Sequence, residues 1–420
     1  RYNAPRTVKM QAENNKNHIK TLSMGCRLNA LESEKIQEML SRVLNAAIVV
    51  NTCAVTAEAE RQSGQTIRRI ARENPNAPIF VTGCAATRNP DLFSAIPNAL
   101  VVANRDKMHL DAYLRALADA PCHFDNPRVA AFAHGDAPLS KQFIQVQNGC
   151  NHACAYCITR ALRGPSVSFD YNDILANAQR AVQNGYSEIV LTGVDTASYA
   201  RDGMLISDVC ARLLDDVPEI RRLRLSSMDP ASPQIFKLID LMHRNPRMMP
   251  HLHLSMQSGC DAILRSMRRR HNADQVRKIV TAAGDDITFS WDIICGFPGE
   301  TDEYFAQTMA LVQVARPIKI HAFPFSPRPG TPAATMPGHV DRRISKERVK
   351  IITHAADANR AEFMTRQIGK TVQVLVEEKN IARDPHDIDV KIAGAPVAER
   401  TVCDVVLSGI DGDAFIGTLQ

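Results

Sequence analysis

The sequence predicts an α/β protein in three parts: an N-terminal open parallel α/β sheet, a central partial (β/α)6 barrel and a small C-terminal all-β, barrel-like module. Three observations predict it. Short apolar runs alternate with amphipathic helical segments through most of the chain, the rhythm of parallel βα units. Six such units fall in the middle, fewer than the eight that close a full barrel. The last stretch, from Gln367, alternates at period two, as strands with one buried face do. At 420 residues the chain is too long for one ordinary core. The expected divisions are 18–120, a linker over 121–142, the barrel over 143–340, a connecting helix over 341–366 and the β-module over 367–420.

In the first part, strands are expected over Ile19–Met24, Ala47–Asn51, Pro78–Thr82 and Ala99–Val102, with helices over Leu31–Val43 and Ala57–Arg72. Pro121, Pro127 and Pro138 then interrupt a stretch without periodicity, and Cys122 within it has no evident partner. The barrel strands are expected over Phe143–Gln147, Glu188–Thr192, Arg222–Ser226, His251–Met256, Thr288–Ile294 and Lys319–Phe325. Helices are expected between them over Asn172–Asn184, Ile206–Asp216, Gln234–His243, Ala273–Ala283 and Asp302–Val314. In the last part, Thr371–Val376, Asp387–Ile392 and Val402–Leu407 read as strands of a small antiparallel barrel, a kind of module that often binds RNA but serves other functions too.

Composition narrows the class. Hydrophobic residues make up 45% and charged residues 23%, as in soluble globular proteins. The apolar run Ala46–Val50 is far shorter than the roughly 20 residues that a membrane helix needs, so no membrane is expected. The polar N-terminus carries no apolar signal core, which points to a cytoplasmic, reducing compartment. Eleven cysteines are sparse for a disulfide scaffold at this length, and the number is odd, so thiols are available for metal. A net charge of +5 and a pI near 8.6 are compatible with a nucleic-acid partner without establishing one.

The chemistry-bearing feature is Gly149-Cys150-Asn151-His152-Ala153-Cys154-Ala155-Tyr156-Cys157. It places three thiols at the spacing C-x3-C-x2-C in the loop after the first barrel strand, where barrel chemistry is located. Thiolates are soft ligands for iron, zinc or copper(I). Three ligands are one short of the usual four for a 4Fe–4S group, which leaves one iron open to a small molecule. The alternatives are a zinc site completed by His152, or three unrelated buried cysteines.

A second cysteine set sits in the first part. Cys26, Cys53 and Cys84 each follow a predicted strand directly. Parallel neighbours joined by right-handed crossovers align their carboxyl ends, so the three thiols are expected to converge on one sheet edge. Glycine before Cys26 and Cys84 suits a close approach of backbone to an inorganic group. The plainer alternative is a chance alignment of buried cysteines.

With both sets in place, the chain resembles the radical S-adenosylmethionine methylthiotransferases from about residue 18 to 420. The matching stretches begin with Gly25-Cys26-Arg27-Leu28-Asn29-Ala30-Leu31-Glu32-Ser33-Glu34, Asn51-Thr52-Cys53-Ala54-Val55-Thr56 and Thr82-Gly83-Cys84-Ala85-Ala86. They continue with the central motif, Leu191-Thr192-Gly193-Val194, Leu254-Ser255-Met256-Gln257-Ser258-Gly259, Asp292-Ile293-Ile294-Cys295-Gly296-Phe297-Pro298-Gly299-Glu300 and Ser326-Pro327-Arg328-Pro329-Gly330-Thr331-Pro332.

The resemblance implies two 4Fe–4S clusters. Cys150, Cys154 and Cys157 would hold the one whose open iron chelates S-adenosylmethionine and, with one electron, yields a 5′-deoxyadenosyl radical. Cys26, Cys53 and Cys84 would hold an auxiliary cluster carrying the sulfur that is methylated and inserted. It also implies that the C-terminal module is TRAM-like and binds tRNA, and that an external electron donor is needed; neither that donor nor the oligomeric state is encoded legibly. Around the first cluster, Tyr156 is expected near the adenine or simply covering the metal, and Gly193 where a Cβ would crowd the methionine amino group. Ser226, Ser255 and Gln257 end barrel strands with polar groups, either for ribose and carboxylate or for neighbouring backbone. Gly296 is expected to let the backbone approach the adenine. Cys210, Cys260, Cys295 and Cys403 have no partners at ligand spacing and read as structural thiols.

Within the family, the substrate choices are adenosine beside the tRNA anticodon carrying threonylcarbamoyl or isopentenyl, or an aspartate of a ribosomal protein. Arg265, Arg268 and Arg269 stand at i, i+3 and i+4, so a helix would present them together, with Arg270 and His271 at its end. Arg268 and Arg269 resemble the doubled arginine of the threonylcarbamoyladenosine branch, whose modification carries a carboxylate that a guanidinium fork suits. A solvated helix face is the alternative, and a non-catalytic iron–sulfur or RNA-binding protein is the competing class. Departures from the family pattern are Ile158–Gly164, Thr87, Asp195 and Ala200. They leave all six cysteines in place but bear on substrate-side detail.

Overall fold

The computed structural model describes residues 18–54, 56–120, 124 and 140–420. Most of the expected linker, Cys122 included, lies outside the described residues. The chain divides into two compact units at residues 134 and 135.

In the first unit, strands β1 (His18–Ser23), β2 (Ala46–Thr52), β3 (Ile79–Gly83) and β4 (Ala99–Val101) form a parallel sheet in that order. β2 and β3 are buried at every position, as expected of strands covered on both faces. One core packs Ile36 and Leu40 of the helix Arg27–Ser41 against Val49 and Phe80. The helix Ala57–Glu73 starts where the Thr56 side chain accepts from the Ala59 N–H, an N-cap that satisfies one of the first-turn donors. A helix over Leu110–Ala118, with Tyr113 buried, was not anticipated from the sequence.

The second unit opens with β5 (Lys141–Gln145), β6 (Glu188–Thr192), β7 (Arg222–Leu225), β8 (His251–Gln257), β9 (Thr288–Cys295) and β10 (Lys319–Pro324). β5, β6 and β7 pair in parallel, as do β8, β9 and β10. Parallel bridges Leu223–Met248 and Met228–Leu254 join the two halves into one partial barrel. β8 alternates half-buried and buried residues, so His251, His253, Ser255 and Gln257 share one face of the strand.

The helix Arg342–Gln367 leads to β11 (Thr371–Glu378), β12 (Ile381–Arg383), β13 (Asp389–Ala393), β14 (Val402–Asp411) and β15 (Ala414–Leu419). These close into a barrel in the order β11-β12-β13-β15-β14. The expectation of an antiparallel barrel needs one correction: β13 and β15 pair in parallel. β15 returns antiparallel beside β14, and its far edge then meets β13 in the same direction.

A buried charge network fastens this small barrel to the amino-terminal end of the larger one. Glu188 takes Arg222 at 2.6 Å and Arg224 at 2.9 Å. Arg222 also donates to the carbonyls of Gln373, Arg383 and Asp384, and Arg224 to those of Asp384 and Pro385. Lys141 pairs with Glu377 at 2.9 Å and Asp387 at 3.3 Å. Such groups are stable in the interior only because each is paired. Among the described residues no helix is long and apolar enough to cross a membrane.

Candidate metal centres

In the first unit, the register places Ser23 opposite Asn51 and Thr52 opposite Gly83, so the strand ends are level. Cys53 and Cys84 therefore leave neighbouring strands together, and Cys26 is the N-cap of the helix Arg27–Ser41. Gly25 has φ +92°, and a Cβ there would stand 2.5 Å from both Cβ and Sγ of Cys53. The backbone leading into Cys26 is thus pressed against the second thiol.

Side chains tie the three loops together. The Asn29 amide donates to the carbonyls of Met24 and Thr52, at 2.8 and 3.1 Å, and the Asn51 amide donates to the Asn29 carbonyl at 3.0 Å. The Thr52 hydroxyl donates to the Thr82 carbonyl and accepts from the Ala86 N–H. Asn29, Asn51 and Thr52 were legible in the sequence only as members of matching stretches. Cys53 is buried, Cys84 half-buried and Cys26 exposed. The donor set fits a thiolate-held group open on the Cys26 side.

In the second unit, Cys150, Cys154 and Cys157 occupy the loop at the carboxyl end of β5. The Gln147 amide braces that loop, donating to the Gly149 carbonyl at 2.7 Å and the Ser166 hydroxyl at 2.8 Å. Its carbonyl accepts from the Asp195 N–H at 2.8 Å. Each sulfur receives its own N–H: Cys150 from His152 at 3.4 Å, Cys157 from Thr159 at 3.4 Å and Cys154 from the Arg269 guanidinium at 3.7 Å. Donors of this kind support sulfur ligands of iron.

Burial pushes the Cys150 thiol up to about 11, and the charges of Asp195, Cys157 and Cys154 add to it against the His152 N–H. Burial likewise raises Cys157, against the Thr159 donors. Left alone, the Cys150 and Cys157 thiols stay protonated. A cation among them reverses that, since a coordinating thiol is deprotonated outright. The residues fit a 4Fe–4S group.

A polar arc borders the loop. His152 Nε2 lies 2.7 Å from Asp195 Oδ2 and 2.8 Å from Arg270 Nη2. Asp229 accepts from Arg269 at 3.1 Å and Arg270 at 3.0 Å, and its pKa is lowered because these guanidiniums and the Ala231 N–H outweigh burial. The metal-capable donors of His152 and Asp195 group with Cys150 rather than with all three thiols.

The other predicted residues lie around this rim. Tyr156 packs against an apolar cluster that includes Ala155, Ile263 and Phe297. Gly193 follows β6, where a Cβ would stand 3.0 Å from the Gln147 carbonyl. Ser226 shares a 2.9 Å hydrogen bond with Thr196. The Ser255 carbonyl accepts from Arg269 at 2.8 Å, and Gln257 takes φ +68° beside a bulge in β8. Gly296, φ +77°, is crowded by Ser345 of the helix Arg342–Gln367, and its N–H donates to Glu300 at 2.6 Å. Cys210, Cys260 and Cys295 are buried, and Cys403 is half-buried.

The shared helical face expected for Arg265, Arg268 and Arg269 is corrected. The helix Asp261–Ser266 ends before Arg268, which takes φ +59°. The N–H of Arg268 bonds the Arg265 carbonyl and that of Arg269 the Leu264 carbonyl, which is a Schellman ending with arginine in the left-handed position. Arg268 is exposed, whereas the Arg269 side chain turns inward at 7% exposure.

Residues 144–312 match the Radical SAM superfamily, and residues 16–103 match the Uncharacterized protein family UPF0004. The chain is 39% identical over 390 residues to "Threonylcarbamoyladenosine tRNA methylthiotransferase MtaB" of Rickettsia prowazekii (strain Madrid E), covering 88% of this chain and 90% of that protein. It is 33% identical over 383 residues to "tRNA-2-methylthio-N(6)-dimethylallyladenosine synthase" of Novosphingobium aromaticivorans, covering 85% of this chain and 86% of that one. Among solved structures, the radical S-adenosylmethionine methyltransferase TsrM of Kitasatospora setae superposes with a TM-score of 0.56 at 13% identity, over 76% of this chain and 77% of that one. At that identity the likeness is one of fold.

Proposed function

The chain belongs to the radical S-adenosylmethionine tRNA methylthiotransferases, and on that premise we propose that it inserts a methylthio group at C2 of N6-threonylcarbamoyladenosine, at position 37 beside the tRNA anticodon. The observation that carries this choice of base is the 39% identity, along nearly the whole chain, to a relative named for it. Cys150, Cys154 and Cys157 would hold one 4Fe–4S cluster, and Cys26, Cys53 and Cys84 a second. When bound, these clusters and S-adenosylmethionine supply the one-electron chemistry and the sulfur.

The chain's own residues then do four things. Gln147 holds the Cys150–Cys157 loop against the rim of the barrel, and the N–H groups of His152 and Thr159 orient two of its sulfurs. Tyr156, Ala155 and Phe297 exclude water from one side of that loop. Gly193, Ser226, Ser255, Gln257 and Gly296 stand at or just beyond the carboxyl ends of β6 to β9, where they would meet S-adenosylmethionine. Arg268 is the exposed guanidinium suited to the threonyl carboxylate, and among the described residues it has no ion-pair partner. The C-terminal barrel is the RNA-binding, TRAM-like module, and the protein works in the cytoplasm. Nucleoside mass spectrometry of tRNA from a strain lacking the protein tests the assignment: 2-methylthio-threonylcarbamoyladenosine is expected to disappear. Its persistence in the absence of another methylthiotransferase would exclude this substrate, and loss of the isopentenyl counterpart would move the protein to that branch.

A further inference from the structure

Two adjacent arginines meet opposite fates beside the Cys150–Cys157 loop. Because Arg268 takes the left-handed position that ends its helix, the chain reverses and Arg269 points into the protein. Its guanidinium has three acceptors at once: Cys154 Sγ at 3.7 Å, Asp229 Oδ1 at 3.1 Å and the Ser255 carbonyl at 2.8 Å. Asp229 is itself fixed, since Oδ1 also accepts from the Ala231 N–H at 3.0 Å and Oδ2 from Arg270 at 3.0 Å. A guanidinium so committed is poorly placed to grasp a carboxylate arriving from solvent. It is well placed to act on the sulfur.

Two of the three sulfurs receive backbone donors, which are neutral, whereas Cys154 receives a cation. A full positive charge and an N–H directed at a ligand sulfur favour the more negative, reduced state of an iron–sulfur group. We propose that Arg269 is a positioning residue for Cys154 whose contact raises the reduction potential of the cluster held by Cys150, Cys154 and Cys157. This rests on reading those cysteines as cluster ligands, and it assigns the doubled arginine two separate roles: Arg269 toward the metal and Arg268 toward the substrate.

The test uses the full chain carrying Cys26→Ala, Cys53→Ala and Cys84→Ala, so that one cluster contributes. After anaerobic reconstitution the parent is expected to hold about four irons; a parent without iron would refute the ligand reading itself. The midpoint potential is then measured by paramagnetic-resonance titration without S-adenosylmethionine. Arg269→Met is expected to make reduction at least about tenfold less favourable, a fall of about 59 mV for a one-electron couple. Arg269→Lys, which keeps the charge, should recover most of the difference, and Arg269→Gln, which keeps only N–H donors, should fall between. Should Arg269→Met lose its iron while staying folded by circular dichroism, the positioning role is supported and the Gln and Lys variants report the potential. An iron-loaded Met variant within about threefold of the parent equilibrium, or a Gln variant reduced as readily as the parent, would overturn the proposal, because a merely structural arginine leaves the potential where it was.

Discussion

Gly25 lies so close to Cys53 that a Cβ on it would stand 2.5 Å from the Cys53 sulfur. The glycine is needed twice over, for this contact and for its φ of +92°. Gly25→Ala is therefore expected to push the Cys26 loop away from Cys53 and to abolish the auxiliary site alone. Iron after reconstitution should drop from about eight per chain to about four. Retention of eight would show that this approach does not matter for the site.

Lys107 and Glu32 form an ion pair at 2.5 Å with side chains only 2% and 3% exposed. Removing one partner takes away the counter-charge of a group that stays buried. Glu32→Gln or Lys107→Met is expected to cost the first unit about 3–5 kcal/mol, read from the denaturant midpoint. A loss below about 1 kcal/mol, typical of surface pairs, would contradict the burial argument.

Much of this architecture was legible because it rests on local pattern. The barrel strands from Glu188 onward follow apolar or alternating runs, Cys26, Cys53 and Cys84 follow strand ends, and Cys150, Cys154 and Cys157 share the loop after the first barrel strand. What escaped depends on distant partners or unusual backbone. Arg222 and Arg224 read as part of a strand, but the groups that neutralise and cap them include Asp384 and Pro385, some 160 residues later. The helix bearing Arg265 ends at a left-handed residue that is arginine rather than glycine, so no glycine marked the stop. The parallel pairing of β13 with β15 follows from barrel closure, which no single strand encodes.

Arg222 joins the two barrels of the second unit through Glu188 and three backbone carbonyls while fully buried. Arg222→Met is expected to cost about 3–5 kcal/mol and to loosen the small barrel. Hydrogen exchange over residues 371–419 should accelerate, while the sheet of the first unit is unchanged. Equal protection in both proteins would place the attachment elsewhere.

Acid should act on the same junction. Burial holds His251 and His386 down to about 3, against an ordinary value of 6.5. The unfolded chain therefore takes up protons that the folded chain refuses, and stability falls as pH drops from about 6.5 toward 3. For Glu188, burial is outweighed by Arg224, Arg222 and Lys141, which hold it at about 2, so its contribution is lost as pH falls through 4.5 to about 2. Asp384 runs the other way: burial pushes it up to about 6, and its contribution fades as pH rises from 3.8 through that value. Melting of the second unit should weaken below pH 6.5, and a variant with His251→Asn and His386→Asn should weaken less over that range. The same slope in both would exclude the histidines as its cause.

Arg268→Gly keeps the left-handed turn without strain and removes the exposed guanidinium. It is expected to lower kcat/KM on tRNA bearing threonylcarbamoyladenosine by about 10- to 100-fold, the range of one charged hydrogen-bonded contact. The midpoint potential of the Cys150–Cys157 cluster should not move, which separates this residue from Arg269.

The most direct test of the whole account is product analysis with the reconstituted protein, S-adenosylmethionine, a reductant and two tRNA pools, one carrying threonylcarbamoyladenosine and one carrying isopentenyladenosine. The account predicts a methylthio adduct on the first pool alone, absent when Cys150, Cys154 and Cys157 are replaced by alanine. A methylthio adduct on the isopentenyl pool alone, or on neither pool from a protein holding both clusters, would contradict it.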